Sequence, residues 1–178
     1  PWINYHNPNL ARITRYNKLY KKQPNQSIQS IQLTKSPNEI NDKNNKNKIK
    51  ICFISDSIIM DSSVLRDRAA TIAQLDTSIF DIYIGSFTRR ENIKHTVAKI
   101  FINKFCASNP DKYLYLGSTI SEARNILELH DFSIIIYPDL GMKLLPTLLA
   151  YSRIAPVQIN TWGHSETSGI DKIGRAHV

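Results

Sequence analysis

SIIIYPDLGMKLLPTLLAYSRIAPVQINTWGHSETSGI, residues 133–170, carries two strands, the helix between them and a glycine-bounded polar loop in one run. Ile134, Ile135, Ile136 and Tyr137 form a continuous apolar stretch that Pro138 ends, which is the pattern of a strand buried on both faces. Residues 142–152 read as a helix; Pro146 is tolerated there if the first turn begins at Leu144 or Leu145. Residues 157–162 give the next strand, and Gly163-His164-Ser165-Glu166-Thr167-Ser168-Gly169 follows at its carboxyl end. Ligands of open parallel sheets bind outside the carboxyl ends of the strands, so this loop is where chemistry is expected first.

Upstream of this run, strands and helices alternate. Residues 50–55 are the first strand, and Ser62 or Ser63 caps a helix whose Val64, Leu65, Ala69, Ile72 and Leu75 share one face. Residues 80–84 are the second strand. A helix over 93–105 follows from the spacing of Ile93, Val97, Ile100, Phe101 and Lys104. Residues 113–116 form the third strand. The next helix is opened by Ser118 or Thr119, with Glu122 three residues past the latter as a capping box, and Ile126, Leu127 and Leu129 complete its apolar side. This order implies an α/β fold, a Rossmann-like parallel sheet with right-handed crossovers and flanking helices.

Before residue 49 the character changes. Leu10, Ile13, Tyr16 or Asn17, and Tyr20 fall at helical spacing after Asn7-Pro8-Asn9, so residues 1–22 read as a short amphipathic helix docking on the domain. Residues 23–48, rich in Asn, Lys, Gln and Ser with Pro24 and Pro37, read as a linker. The domain proper is expected over 49–172. Ile173-Gly174-Arg175-Ala176-His177-Val178 matches the translation of a common sequencing adapter, so 173–178 are set aside as an assembly artefact.

The 178 residues can bury the core of one ordinary domain. A net charge of +8 raises the question of nucleic acid, but many of the lysines lie in a Lys/Asn tract with no interleaved aromatics to stack bases, which argues against that partner. Cys52 and Cys106 show no metal-type spacing and read as buried free thiols of a reducing compartment. No run approaches the roughly 20 apolar residues of a membrane helix. The expectation is a cytoplasmic protein without a membrane partner.

Several chemistries are excluded by missing motifs. The turn after the first strand, Ser55-Asp56-Ser57-Ile58-Ile59-Met60, lacks the glycines that let backbone approach a dinucleotide pyrophosphate, and no Walker-type loop is present. There is no Asp-x-Asp pair of the kind that holds a metal-bound nucleotide sugar, which suits a metal-independent site with no cofactor. Among the candidates that remain, Asp56 closes the first strand as either a turn cap or an acid/base carboxylate. Asp139 either caps the following helix or binds substrate, and Gly141 allows a positive φ or a close backbone approach. His164 carries an imidazole, the side-chain type best suited to proton transfer or phosphate contact near neutral pH. Gly163, Thr167, Ser168 and Gly169 could present hydroxyls and backbone N–H groups to a phosphate or sugar. Arg66, Asp67 and Arg68 read first as a solvated helix face.

Ala155-Pro156-Val157-Gln158 leading into Trp162-Gly163-His164, then Thr167-Ser168-Gly169, resembles the O-linked N-acetylglucosamine transferases and SPINDLY-type proteins. Tyr137-Pro138-Asp139-Leu140-Gly141-Met142 and Leu149-Ala150 are similar as well. The resemblance implies the amino-terminal half of a two-domain GT-B glycosyltransferase, with a nucleotide sugar and an acceptor protein as partners. It also implies inverting transfer to Ser or Thr hydroxyls, with His164 and Asp56 as catalytic candidates. Asp139, Gly141, Gly163, Thr167, Ser168 and Gly169 would contact substrate. Ser165 stands where the family usually has Pro, and no His lies near Met60, where the family commonly has one. The second reading is therefore a non-catalytic binding or scaffold domain derived from the same family, and the third an unrelated Rossmann-like regulatory domain.

Overall fold

The structure is a computed structural model that describes residues 48–164, 168–170 and 173–175. The expected helix over 1–22, the linker as far as residue 47, and Thr167 lie outside the described residues. Within them the order is β1 (Ile49–Ile54), α1 (Ser63–Gln74), β2 (Phe80–Ser86), α2 (Thr96–Phe105), β3 (Tyr113–Tyr115), α3 (Ile120–His130), β4 (Ile134–Tyr137), α4 (Leu144–Ala150), β5 (Val157–Asn160) and β6 (Gly174–Arg175). The six strands form one sheet in the order β3-β2-β1-β4-β5-β6. All pairs are parallel: Ile51 faces Ile82 on one side and Ile134 on the other, and Ile136 faces Ile159. The expected Rossmann-like α/β fold is the one observed. β6 lies in the segment set aside as foreign, where Ile173 is buried and Gly174 pairs with Ile159.

Alternation along the strands divides the interior into two cores. Ile51, Phe53, Ile82 and Ile84 pack with Val64, Leu65 and Ile72 of α1 and Ala98 and Ile102 of α2. Cys52, Ile54, Tyr83, Ile135 and Tyr137 pack on the other face with Ala123 and Leu127 of α3 and Leu149 of α4. Right-handed crossovers dictate this split, because the chain runs outward from β1 to β3 on one face and returns to β4 and β5 on the other.

Three expectations need correction. β4 is not fully buried on both faces: Ile135 and Tyr137 are fully buried, whereas Ile134 and Ile136 pack against the core of α1 and α2 but remain partly exposed. α2 begins at Thr96, after a 3-10 turn at Arg90–Asn92, and buries Ala98 and Ile102, leaving Val97 and Ile100 exposed at 60% and 62%. In α3, Leu127 is buried but Leu129 is 86% exposed. In the two helices the sequence pattern offered more apolar residues than one face could hold, and contact with the sheet selected among them.

The helix starts follow local chemistry. Ser62 caps α1, its Oγ accepting from Leu65 N–H at 3.1 Å. Thr119 and Glu122 form the expected capping box on α3. In α4 Lys143 is the N-cap, which puts Pro146 in the first turn, where its missing N–H has no intrahelical partner to lose.

Candidate functional site

β1 and β4 are neighbours, but the chain leaves β1 in one direction and β4 in the other, and such a reversal is where open α/β sheets hold a crevice beyond the carboxyl ends of the strands. The sequence supplies the walls: the turn after β1, the Pro138–Gly141 turn after β4 and the loop after β5.

The turn after β1 is held rigid by hydroxyls. Ser55 Oγ accepts from the N–H groups of Ser57 at 2.9 Å and Ile58 at 3.3 Å, and Ser62 Oγ donates to Ser57 O at 2.7 Å. Asp56 Oδ1 accepts from Ser86 Oγ at 2.6 Å and from Phe87 N–H at 2.9 Å, so this carboxylate ties the end of β1 to the end of β2. Neither bond caps the turn that follows β1.

Asp139 is 3% exposed and does not cap α4. Burial holds its carboxyl above the ordinary carboxylate range; nearby hydroxyls of Ser57 and Ser55 oppose the shift, and the negative charge of Asp56 adds to it. Neither Asp139 Oδ2 nor Ser57 Oγ has a hydrogen-bond partner in the protein. Buried polar atoms of this kind are uncommon, and each calls for a physical explanation.

The loop after β5 folds onto the same place. Thr161 N–H donates to Tyr137 O at 3.1 Å, and Thr161 Oγ1 and Gly163 N–H both donate to Pro138 O, at 3.1 and 2.9 Å. Gly163 is obligatory by proximity: a Cβ there would lie 2.3 Å from Pro138 O and 3.1 Å from Asp139 Cβ. Gly141 has φ +96°, and a Cβ on it would meet His164 Nδ1 at 3.1 Å, so the imidazole lies directly over this glycine. Gly141 N–H donates to Thr147 Oγ1 at 2.9 Å.

Asp139, Gly141, Gly163 and His164 are thus brought together, with Asp56 at their border. Ser168 Oγ accepts from Ile170 N–H at 3.4 Å, and Gly169 has φ +63°. Two participants were missed by the sequence reading. Ser57 could have been found from its place two residues past an apolar strand. Arg68, read as a solvated face, is 3% exposed, with its guanidinium 3.6 Å from the centre of the Trp162 ring. Only the tertiary fold places α1 against the loop after β5.

Away from the crevice, a cavity of about 570 Å³ opens at the amino edge of the sheet between the ends of α1 and α2, with Phe80, Phe101 and Phe105 on its wall. Asp81 there is engaged by Lys112. Among the described residues no group of three His, Cys, Asp or Glu side chains could hold a metal ion, and no helix is long and apolar enough to cross a membrane. Cys52 and Cys106 are buried free thiols, and burial pushes both up.

The fold defines the class: a Rossmann-like α/β domain, one parallel sheet with helices on both faces. A solved structure of a mutant O-GlcNAc transferase from Thermobaculum terrenum is similar over 71% of this chain and 23% of its own, with a TM-score of 0.58 and 14% sequence identity. The chain thus spans about a quarter of that protein's length. No family model matches the sequence, and neither does any curated protein.

Proposed function

We propose that this chain is the amino-terminal lobe of a GT-B type, metal-independent inverting glycosyltransferase. In this reading it moves a sugar from a nucleotide sugar such as UDP-N-acetylglucosamine to a Ser or Thr hydroxyl of an acceptor protein. The observation that carries this reading is the gathering of Asp139, Ser57, Gly141, Gly163 and His164 at the switch point of a glycosyltransferase-like fold. Inverting transfer breaks the bond between the anomeric carbon and the diphosphate while the acceptor oxygen bonds to that carbon and gives up its proton. His164 is the group to receive that proton, directly or through one water, and Asp139 with Ser57 offers hydrogen-bonding atoms to sugar or acceptor hydroxyls. Stabilising the departing diphosphate falls to N–H groups and positive charge, of which Thr167, Ser168 and Gly169 supply a part. The remainder belongs to a second lobe, so the chain alone turns over no sugar.

The test is to recover the coding sequence beyond Lys172, express the extended protein, and measure nucleotide diphosphate release with UDP-N-acetylglucosamine, UDP-glucose and GDP-fucose. Activity with one donor is expected, with a loss of about 10²- to 10⁴-fold in His164→Ala. A folded extended protein that releases nothing from any donor sinks the transferase reading. One observation favours the alternative of a scaffold domain: Asp56, the acid/base candidate in the turn that lacks the family's histidine, is committed to Ser86 and Phe87.

A further inference from the structure

The cavity at the amino edge of the sheet lies at the far end of the strands from Asp139 and His164 and shares no residue with their site. Its volume of about 570 Å³ is that of a small-molecule site. Ile72 of α1 and Ile82 of β2 are buried at its floor, and the rings of Phe80, Phe101 and Phe105 are its half-buried walls. Phe101 and Phe105 stack on each other, with centroids 6.2 Å apart, while Phe80 opens β2. Three phenyl rings left partly open in one hollow are apolar surface whose burial the described fold does not complete.

The charges around this hollow are unequal. Lys48, Lys104 and Lys112 line it with a single acid, Asp81. Lys112 engages Asp81, so those two charges answer each other. Asp76, within electrostatic reach of Lys48, accepts at Oδ1 from Ser78 N–H and Oγ. Neither Lys48 nor Lys104 forms an ion pair with another described residue. We propose that this cavity binds a small aromatic carboxylate, its ring among the three phenyl groups and its charge at Lys48 and Lys104. Aromatic rings pack offset or edge to face with centroids about 4.5–7 Å apart, and an ammonium group makes a charge-assisted hydrogen bond to a carboxylate. A bare inorganic anion would leave the rings uncovered, and a neutral hydrocarbon would leave the two lysines unanswered.

Titrating the full chain, labelled at its isoleucine methyl groups, with 2-naphthoate tests the assignment by NMR. The Ile72 and Ile82 signals should shift and saturate, while Ile135, on the opposite face of the sheet, stays where it is. 2-Naphthylmethanol, which has the same rings without the charge, should bind about 2- to 30-fold more weakly, the effect of two partly exposed ion pairs. The double variant Lys48→Gln, Lys104→Gln should bring naphthoate down to the alcohol's affinity and leave the alcohol's own affinity unchanged. Phe101→Ala should weaken both probes. Ile72 and Ile82 signals that do not saturate with naphthoate overturn the proposal. Equal affinity for the two probes, or naphthoate binding indifferent to the double lysine variant, overturns it as well, because the lysines would then have no part in recognition.

Discussion

At the scale of single residues, Asp139 is a carboxyl held where its charged form is disfavoured. Its carboxyl is raised by burial, whereas in the unfolded chain it returns to about 3.9. The folded state therefore keeps its proton to higher pH than the unfolded state does. Stability is lost as pH rises from the unfolded value through the raised folded one. Asp139→Asn has no charge to bury, so its urea midpoint should match the parent at acid pH and exceed it increasingly as pH climbs. Parallel pH profiles for the two proteins would contradict this account. Gly163 makes the opposite demand, for absence. A methyl group there meets Pro138 O at 2.3 Å, and Gly163→Ala should lose about 1–3 kcal/mol in chemical denaturation as the loop is forced off β4. A loss below a few tenths would mean that the loop yields freely.

Among the elements, legibility in the sequence followed the range of the forces involved. The caps of α1 and α3 are short-range hydrogen bonds, and the sequence located them to within one residue, Ser62 or Ser63 and Ser118 or Thr119. Strand positions were readable too, because apolar runs such as Ile51–Ile54 have few other fates. Which face of α2 turns inward was not, since Val97 and Ile100 are as apolar as Ala98 and Ile102, and only contact with the sheet distinguishes them. The site divides in the same way. His164, Gly163, Asp139 and Gly141 stand in one stretch of sequence, whereas Ser57 and Arg68 join them through strand order. Asp56 belongs at this scale because it joins two strand ends. Asp56→Ala leaves Phe87 N–H without its carboxylate and should cost about 1–3 kcal/mol, read as a lower urea midpoint. Unchanged stability would return Asp56 to the catalytic candidates.

For the molecule as a whole, Arg68 shows how distant parts are joined. Its guanidinium lies over Trp162 and 3.3 Å from Asp67 Oδ2, yet Nε and Nη2 complete no hydrogen bond, so most of its value is the stem and the flat group against the ring. Arg68→Met keeps that contact and removes a buried charge; its stability should equal or exceed the parent's, while Arg68→Ala loses about 1–3 kcal/mol to the vacated volume. Equal losses in both would show that the charge itself holds the loop. The sheet order has a further consequence, one of time. β1 lies at the centre, and Ile51 acquires its partner Ile134 only after 83 more residues (134 − 51) have been made. At about 5–20 residues per second that is roughly 4–17 s of synthesis. Throughout that interval one edge of β1 is open on the ribosome, its amide and carbonyl groups available to any passing strand, and the newborn chain depends on chaperones longest at the strand that ends up most enclosed.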